Sequence, residues 1–349
     1  MASISTVRGE IPPEELGVTH PHEHVFLDIR VWLDISAPND LADAPVTMDI
    51  LADLKWKDGQ NRDNMVLDSF KDAVSELSRF KTLGGASLVD VTPPGIGRDP
   101  LALLRVSRAT GLNIVCSTGF YVAPSHPAFV KKSSVEELAE LMSNELEDGI
   151  EATGIRAGVI GEIGCQEPLE AEEKKVLAAA AKAQARTKAG LTVHTALHDP
   201  ANRRVAKQAR QEIEILQKYG CDLSKVYMSH MDFTHDDPKY QRDLMDEFGV
   251  TLDYDTFGQE NHYHNIYLGA VGFSDAARCR ALVDLVKSGY ARQLMMSCDV
   301  CEKIHLRKYG GYGYSNILEH VIPLLGVYGV RRRDVRTMMV DNPRSLLSR

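Results

Sequence analysis

The sequence lacks the features that mark membrane, secreted or nucleic-acid-binding proteins. No stretch of the 349 residues approaches the roughly 20 consecutive apolar residues that cross a bilayer. The opening segment MASISTVRGEIPPEEL contains no apolar core, so we expect no secretory signal and a cytoplasmic location. A net charge of −9 and an isoelectric point near 5.8 argue against general nucleic-acid binding and against an anionic membrane partner. A local basic pocket for an anionic substrate stays open.

Cysteine is sparse, and its spacing does not indicate a disulfide framework or a zinc ribbon. Of the six cysteines, Cys298 and Cys301 are separated by two residues, but Asp299 lies between them and we interpret both as flanking a strand end. Reduced thiols of a cytosolic protein are therefore expected. No low-complexity segment or Ser/Gly linker interrupts the chain, which predicts one domain over residues 1–349.

Eight short apolar or β-branched runs are spread along the chain, with helical segments between them. Strands and helices that alternate in this way favour a parallel sheet. The sequence therefore predicts an α/β fold, a single (β/α)8 TIM barrel. The runs are GVTHPHEHVF (17–26), ASLVDVT (86–92), LNIVCSTGFY (112–121), IRAGVIGEIG (155–164), GLTVHT (190–195), KVYMSH (225–230), GVTLDYDT (249–256) and RQLMMSCDV (292–300).

Helices are predicted from apolar spacing and from capping residues. Apolar residues recur at helical spacing in segment 63–81. Ser134 and Glu137 have the spacing of a capping box, and Pro200 and Pro238 are interpreted as helix openings. Further helices are predicted at 170–188, 200–218, 238–248, 275–288, 315–325 and 331–347. The irregular stretch 28–62 is expected to form a long, functional loop after the first strand.

Six residues of the types that bind metals lie at or near the ends of these predicted strands. Parallel strands of a closed barrel bring their carboxyl ends to one face, so residues far apart in sequence can converge there. An HxH pair on the first strand directs both imidazoles the same way, because side chains two apart share a face. The candidate metal ligands are His22, His24, Glu162, His194, His230 and Asp299.

These residue types suit a pair of divalent cations. Imidazole favours zinc and other transition metals, and a carboxylate can bind two ions through its two oxygens. We expect His22, His24 and Asp299 to hold one ion, His194 and His230 to hold the second, and Glu162 to bridge them. Zinc is the expected metal, with manganese or cobalt as alternatives.

Along nearly its full length the chain resembles the phosphotriesterase family of the amidohydrolase superfamily. The resemblance lies in VRGEIPPEELGVTHPHEH, AGVIGEIG, GLTVHT, SHMDFTH and SCDVCEKIHLRKYGGYGY, whose order and spacing together are specific. It is strongest to the phosphotriesterase homology proteins and the phosphotriesterase-like lactonases. Strong organophosphate hydrolases of the family bridge their metals with a carboxylated lysine, whereas Glu162 stands at the matching position here. This difference puts paraoxon-type turnover in doubt.

The resemblance implies a binuclear metal-dependent hydrolase that attacks a lactone or another carboxylic ester or amide. A hydroxide that bridges the metals is expected to be the nucleophile, and Asp299 is expected to take its proton and pass it to the leaving group. The alternatives are a phosphoester or phosphotriester hydrolase and a metal-binding homologue without catalysis. The expected partner is a small-molecule substrate, and family members are often homodimers, so a homodimer is expected.

Further candidates surround the predicted centre. Tyr121 is similar to a lactonase tyrosine that leans over the metals, with a packing role as the alternative. Asp232 follows His230 by two residues, and it is expected either to relay protons and contact substrate or to orient a ligand. The candidates for substrate binding are Arg98, Arg307 and Lys308, with a solvated surface role as their alternative, and His262 and His264, which are expected in a loop after strand seven.

Overall fold

The predicted barrel is present in the computed structural model, which describes residues 2–35, 40–199, 204–260 and 274–349. Eight parallel strands form one sheet in the order β8-β7-β6-β5-β4-β3-β2-β1. All eight fall inside the runs predicted from the sequence. They are β1 (Thr19–Glu23), β2 (Ser87–Asp90), β3 (Asn113–Thr118), β4 (Val159–Gly164), β5 (Gly190–His194), β6 (Val226–Ser229), β7 (Thr251–Tyr254) and β8 (Leu294–Met296).

The strands are buried on both faces, which explains why they read as continuous apolar runs rather than alternating ones. Inside the barrel Val89, Val115, Val159 and Met295 pack in one cluster with Tyr227. A second and larger cluster fills the space between the strands and the surrounding helices. A parallel strand that is enclosed in this way leaves only its end free for polar side chains.

Helices connect successive strands and cover the outside of the sheet. Most of the helices predicted from the sequence begin within two residues of the predicted position, and Ser134 and Glu137 form the expected capping box. The helices are α1 (Leu51–Leu54), α2 (Phe70–Thr82), α3 (Pro100–Thr110), α4 (Ala128–Lys132), α5 (Val135–Glu147), α6 (Ala171–Thr187), α7 (Ala209–Lys218), α8 (Pro238–Phe248), α9 (Asp275–Lys287), α10 (Ile322–Val327), α11 (Arg332–Arg336) and α12 (Asn342–Leu347). Single π-helical turns, Ile317–Val321 and Thr337–Asp341, precede α10 and α12.

Two predicted helix starts are wrong. The helix expected from residue 63 begins at Phe70, because Val66–Leu67 pairs antiparallel with Leu27–Asp28 and the Ser69 side chain caps the helix. The helix expected from residue 200 begins at Ala209. Residues 198–199 and 204–205 instead form a short antiparallel pair.

The long segment after β1 packs against the loop that follows β8. Leu54 of α1 is buried against Val46 and Ile304 in a small apolar cluster. This contact places the segment after β1 on the same side of the barrel as the residues after β8. Among the described helices, none combines the length and apolar composition that crossing a membrane requires.

Candidate metal centre

The side chains of the six predicted ligands converge at the carboxyl ends of the strands. His22 lies on β1 and His24 directly follows it, while Glu162 and His194 come from β4 and β5. His230 directly follows β6, and Asp299 follows β8. All six are at most 7 % exposed. Their donor atoms fall into two groups within 4.8 Å, His22 with His24 and Asp299, and Glu162 with His194 and His230.

The carboxylate of Glu162 lies between these two groups. Its Oε1 atom is 3.4 Å from Nε2 of His24. Its Oε2 atom is 3.1 Å from Nδ1 of His194 and 3.9 Å from Nε2 of His230. On the far side of the first group, Oδ1 of Asp299 lies 3.3 Å from His24 and 3.6 Å from His22. Oε1 therefore faces the first group, whereas Oε2, which is also 3.6 Å from Nε2 of His22, lies between the two groups.

Gly161 allows Glu162 to occupy this position. The backbone of Gly161 has a φ of +114°, and a Cβ atom there would lie 2.3 Å from the carbonyl oxygen of Thr192. The pairing of β4 with β5 shifts register between Ile160 and Ile163, on either side of Glu162. Gly161 thus permits the irregular backbone from which the Glu162 side chain projects.

Neighbouring groups fix the orientation of three of the histidines. Nδ1 of His22 lies 2.8 Å from the Ser229 hydroxyl, and Nδ1 of His24 lies 2.8 Å from the Thr92 hydroxyl. Nδ1 of His230 lies 2.9 Å from Asp255. Holding one ring nitrogen in this way turns the other toward the cluster, as in metal-binding histidines whose second nitrogen is bonded elsewhere.

The donor set fits a bound metal ion. Nε2 of His22 is buried and has no hydrogen-bond partner among the described residues. It points toward oxygens of Glu162 and Asp299 that are each 3.6 Å away. A buried imidazole nitrogen without a partner, surrounded by carboxylates, is costly unless a cation occupies the space between them.

Electrostatics keep the two carboxylates ionised. Burial raises the pKa of Asp299, but hydrogen bonding to His24 and the charge of His22 hold it at about 2. Burial also opposes ionisation of Glu162, yet His194 and His22 keep its pKa well below the usual value. Burial lowers the pKa of His22 to about 3, so its ring is neutral and free to bind a metal. The centre thus combines two carboxylates with a neutral His22. Burial opposes a proton on His24 and His230, but Asp299 raises the pKa of His24 to about 9 and Asp255 raises that of His230, so a bound cation would displace those protons.

Glu23, between the two histidines of the HxH pair, holds the loop that carries Asp299. Its carboxylate accepts the backbone N–H groups of Cys298 at 2.9 Å and Val300 at 3.0 Å. Nδ1 of His20 lies 2.7 Å from the same carboxylate. These bonds join β1 to the residues after β8 and support Asp299, which has a φ of +46°. Sequence analysis did not identify Glu23, although its place inside HxH was a signal.

Asp255 is a second residue that sequence analysis missed. It follows β7, is completely buried, and accepts both the backbone N–H and the ring of His230. The backbone of His230 has a φ of +60°, which this pair of bonds supports. The available signal was an acidic residue at the end of the seventh predicted strand, because the side chains of the cluster also come from the ends of predicted strands.

Tyr121 lies beside the cluster, as expected for a residue that leans over it. Its hydroxyl is 3.3 Å from Nε2 of His194 and accepts the indole N–H of Trp32 at 3.1 Å. Burial raises the pKa of the phenol well above its usual value, so the hydroxyl keeps its proton. Trp32 belongs to the long segment after β1. Its ring packs edge-to-face against that of Tyr121, with 6.3 Å between the ring centroids.

Asp232 is buried in an ion pair instead of lining an open pocket. Its Oδ2 atom accepts Nε of Arg278 at 2.8 Å. Oδ2 also accepts the hydroxyl of Thr256, while Oδ1 has no hydrogen-bond partner among the described residues. Arg278 is completely buried, so the Asp232 carboxylate balances its charge.

The candidate substrate-binding cations have other partners. Arg98 donates to both oxygens of Glu145, at 2.5 and 2.8 Å, and its side chain is only 6 % exposed. Arg307 pairs with Glu319 at 3.4 Å, and Lys308 pairs with Asp72 at 2.7 Å. Internal or surface ion pairs therefore occupy these cations, which the sequence could not reveal because their partners lie far away along the chain. His262 and His264 lie outside the described residues.

A family model matches residues 2–347, almost the entire chain, and describes the phosphotriesterase family. Among curated proteins, N-acetyltaurine hydrolase of Xenopus tropicalis is 35% identical over 348 residues. That alignment covers 99% of this chain and 97% of the relative.

Solved structures of phosphotriesterase-like proteins also resemble this chain over nearly its full length. A resiniferatoxin-binding protein from Rhodobacter sphaeroides is similar with a TM-score of 0.93 and 35% identity, covering 99% of this chain and 94% of its own. The phosphotriesterase homology protein of Escherichia coli, complexed with phosphate in its active site, has a TM-score of 0.77 and 29% identity. The match covers 95% of this chain and 99% of that one.

Proposed function

We propose that this chain, which belongs to the phosphotriesterase family of metal-dependent hydrolases, hydrolyses the amide bond of a small N-acylated acid. The proposal goes beyond the family, whose members differ in substrate. It is supported by relatives named N-acetyltaurine hydrolase that match nearly the full chain at 33% to 35% identity. N-acetyltaurine is a carboxylic amide whose leaving group is the amine of an aminosulfonic acid. The class therefore includes N-acylated aminosulfonic and amino acids.

We further propose that the centre holds two divalent ions, with zinc as the expected metal. His22, His24 and Asp299 would hold the first, His194 and His230 the second, and Glu162 would contribute one oxygen to each. Bound metals of this kind lower the pKa of water and polarise a carbonyl oxygen. The donor set supports this assignment because the two oxygens of Glu162 face different histidines.

The chain's own groups then have separate roles. Asp299 takes the proton of the attacking water and delivers it to the leaving nitrogen. An amine is a poor leaving group until it is protonated, so amide hydrolysis depends on a general acid of this kind. Ionised Asp299, with its pKa near 2, is in the form that accepts a proton at neutral pH. Delivery of the same proton completes the cycle without a second acid.

Tyr121 and Trp32 would position the substrate. The Tyr121 hydroxyl retains its proton and lies beside His194, so it can donate a hydrogen bond to a carbonyl oxygen above the cluster. The indole N–H of Trp32 holds that hydroxyl from the other side. The pair would exclude water from the acyl group while leaving the nitrogen end toward the surrounding loops.

The single observation that carries the proposal is the convergence of six candidate metal ligands beside a neutral tyrosine, in a chain with full-length relatives named N-acetyltaurine hydrolase. The experiment is a substrate panel with the zinc- and manganese-loaded protein, in which amides are followed by amine release, lactones and esters by acid release, and paraoxon by 4-nitrophenol release. The panel contains N-acetyltaurine, N-acetylated amino acids, neutral acetamides, lactones, carboxylic esters and paraoxon.

Turnover of the anionic amides at a kcat/KM at least tenfold above the other classes is the expected result. Asp299→Asn should lower kcat by about 10²–10⁴-fold, the usual contribution of a general acid–base group. Greater activity on lactones would move the assignment to that class. No turnover of any substrate by protein with bound metal would favour a homologue without catalysis.

A phosphoester is the second candidate substrate. The Escherichia coli relative holds phosphate in its active site, and a dinuclear centre stabilises phosphoryl oxygens as well as acyl oxygens. Phosphate monoesters and diesters therefore belong in the same panel, with release of inorganic phosphate or alcohol as the measurement. Preference for either over amides would replace the amide proposal.

A further inference from the structure

The two carboxylate oxygens of Asp299 face different surroundings. Oδ1 points toward the histidines of the HxH pair, 3.3 Å from Nε2 of His24. Oδ2 lies 3.2 Å from the side-chain nitrogen of Gln259. The orientation of the carboxylate is therefore defined on both sides, by the histidines at Oδ1 and by the uncharged amide of Gln259 at Oδ2.

The Gln259 side chain is itself held in one orientation. It is 2 % exposed, and its nitrogen donates to the backbone oxygen of Asp299 and lies 3.3 Å from that of Cys298. Its oxygen neighbours, these two backbone oxygens and Oδ2 of Asp299, are all acceptors, and Sγ of Cys301 lies 3.8 Å away. The NH2 group must therefore be the end that faces Asp299, because an amide oxygen in its place would meet three acceptors without a hydrogen.

Buried Arg278 fixes the backbone beneath Gln259. A guanidinium nitrogen donates to the backbone oxygen of Gln259 at 3.0 Å and to the Thr256 hydroxyl at 2.9 Å. The guanidinium also bonds Asp232 at 2.8 Å and Asp275 at 3.0 Å. Arg278 thus joins α9 to the residues after β6 and β7, and Asp232 serves this network as the counter-ion.

We propose that Gln259, supported by the Arg278–Asp232 ion pair, is a positioning residue that keeps Oδ1 of Asp299 directed at the metal pair. The inference rests on the proposed role of Asp299 as metal ligand and proton carrier. A carboxylate on a short side chain can rotate about its last bond, and rotation would exchange the oxygen that faces the metals. The hydrogen bond from Gln259 to Oδ2 opposes that rotation. This kind of support outside the ligands commonly changes metal affinity by about 10–100-fold.

The test is a metal titration of metal-free protein, which needs no substrate. Gln259→Met removes the amide but keeps an unbranched side chain of similar length. Zinc binding is measured by calorimetry for the wild type, Gln259→Met, Asp299→Asn and the double variant. Gln241→Met is the matched control, because Gln241 is also completely buried but donates to Met231 and Thr234 instead of Asp299.

Gln259→Met should weaken one zinc ion by about 10–100-fold and leave the other near its wild-type affinity. The double variant should bind zinc only slightly more weakly than Asp299→Asn alone, because both substitutions act through the same carboxylate. Gln241→Met should bind both ions normally. In steady-state assays Gln259→Met should lower kcat with KM within about threefold of wild type, and a purely structural role would not produce that split.

Wild-type zinc affinity of Gln259→Met, or full additivity with Asp299→Asn, overturns the proposal. If Gln259→Met does not fold, Gln259→Asn takes its place, since it keeps the amide but is too short to reach Oδ2. The titration also separates this inference from the proposed activity. A coupled loss of zinc affinity in a protein that hydrolyses none of the amides would retain the positioning role and reject the amide substrate.

Discussion

Nδ1 of His230 lies 2.9 Å from Oδ1 of Asp255, whose carboxylate also accepts the backbone N–H of His230. The bond turns Nε2 of His230 toward Glu162. Because an ionised carboxylate only accepts hydrogen bonds, the bond to Asp255 places a proton on Nδ1 of His230. Although burial lowers the pKa of His230, Asp255 raises it well above the usual value, so a metal would have to displace the proton on Nε2. A ring that keeps its proton on Nδ1 presents the lone pair of Nε2 to a metal.

Asp255→Ala should therefore weaken binding of the second metal by about 10–100-fold, because the ring of His230 loses its fixed orientation. Asp255→Asn is the graded control, since its amide oxygen can still accept one of the two bonds, and it should show a smaller loss. Metal content after dialysis and zinc calorimetry are the measurements. Equal affinity in the alanine variant and the wild type would remove Asp255 from this supporting role.

Glu162→Gln should reduce occupancy of both metals. The substitution keeps the shape of the side chain but removes its charge and replaces one oxygen with a donor, which cannot bind a cation. Elemental analysis of purified protein is the measurement, and Glu140→Gln, at an exposed site on α5, is the control. Two metals per chain in Glu162→Gln would contradict the bridging assignment.

The fold and the convergence of the six candidate ligands could be predicted because they depend on local patterns. The barrel strands are compact runs in the sequence, and the ends of β1, β4, β5, β6 and β8 carry a His, Glu or Asp that the parallel topology sends to the same face. The prediction of a helix from Pro200 failed for the same reason, because a local signal was trusted where residues 198–199 pair with 204–205 instead.

The supporting residues could not be predicted because their roles depend on pairing across the chain. Glu23 contacts the backbone of Cys298, 275 positions away, and Arg98 pairs with Glu145, 47 positions away. Nothing near Arg98 in sequence indicates that its charge is neutralised internally. An isolated cation after a strand looks the same in sequence whether it faces substrate or an internal carboxylate.

Arg98→Met tests that distinction directly. With Glu145 left buried and unpaired, the variant should lose about 3 kcal/mol of unfolding free energy, the usual cost of breaking a buried ion pair. The double variant Arg98→Met with Glu145→Met should recover much of the loss, because no isolated charge remains. Urea denaturation gives the free energies, and KM should stay at the wild-type value in both. A tenfold rise in KM with normal stability would instead restore Arg98 as a substrate contact.

Glu212 on α7 gives the protein a pH-dependent stability separate from the metal centre. Burial raises its pKa to about 7, although Gln208 and Thr195 donate to one of its oxygens. The folded state thus binds a proton more tightly than the unfolded state. This contribution to stability is complete below the unfolded pKa near 4.5 and is lost as the pH rises to about 7.

Glu212→Gln should remove this loss, because a neutral amide has no proton to release. A pKa difference of this size corresponds to about 3 kcal/mol. Relative to wild type, the variant should therefore be more stable at pH 8 than at pH 5 by a free energy of that order. Denaturant unfolding of metal-free protein at the two pH values measures the difference. Glu214→Gln on the exposed face of the same helix is the control, and an equal pH dependence in both variants would exclude Glu212 as its source.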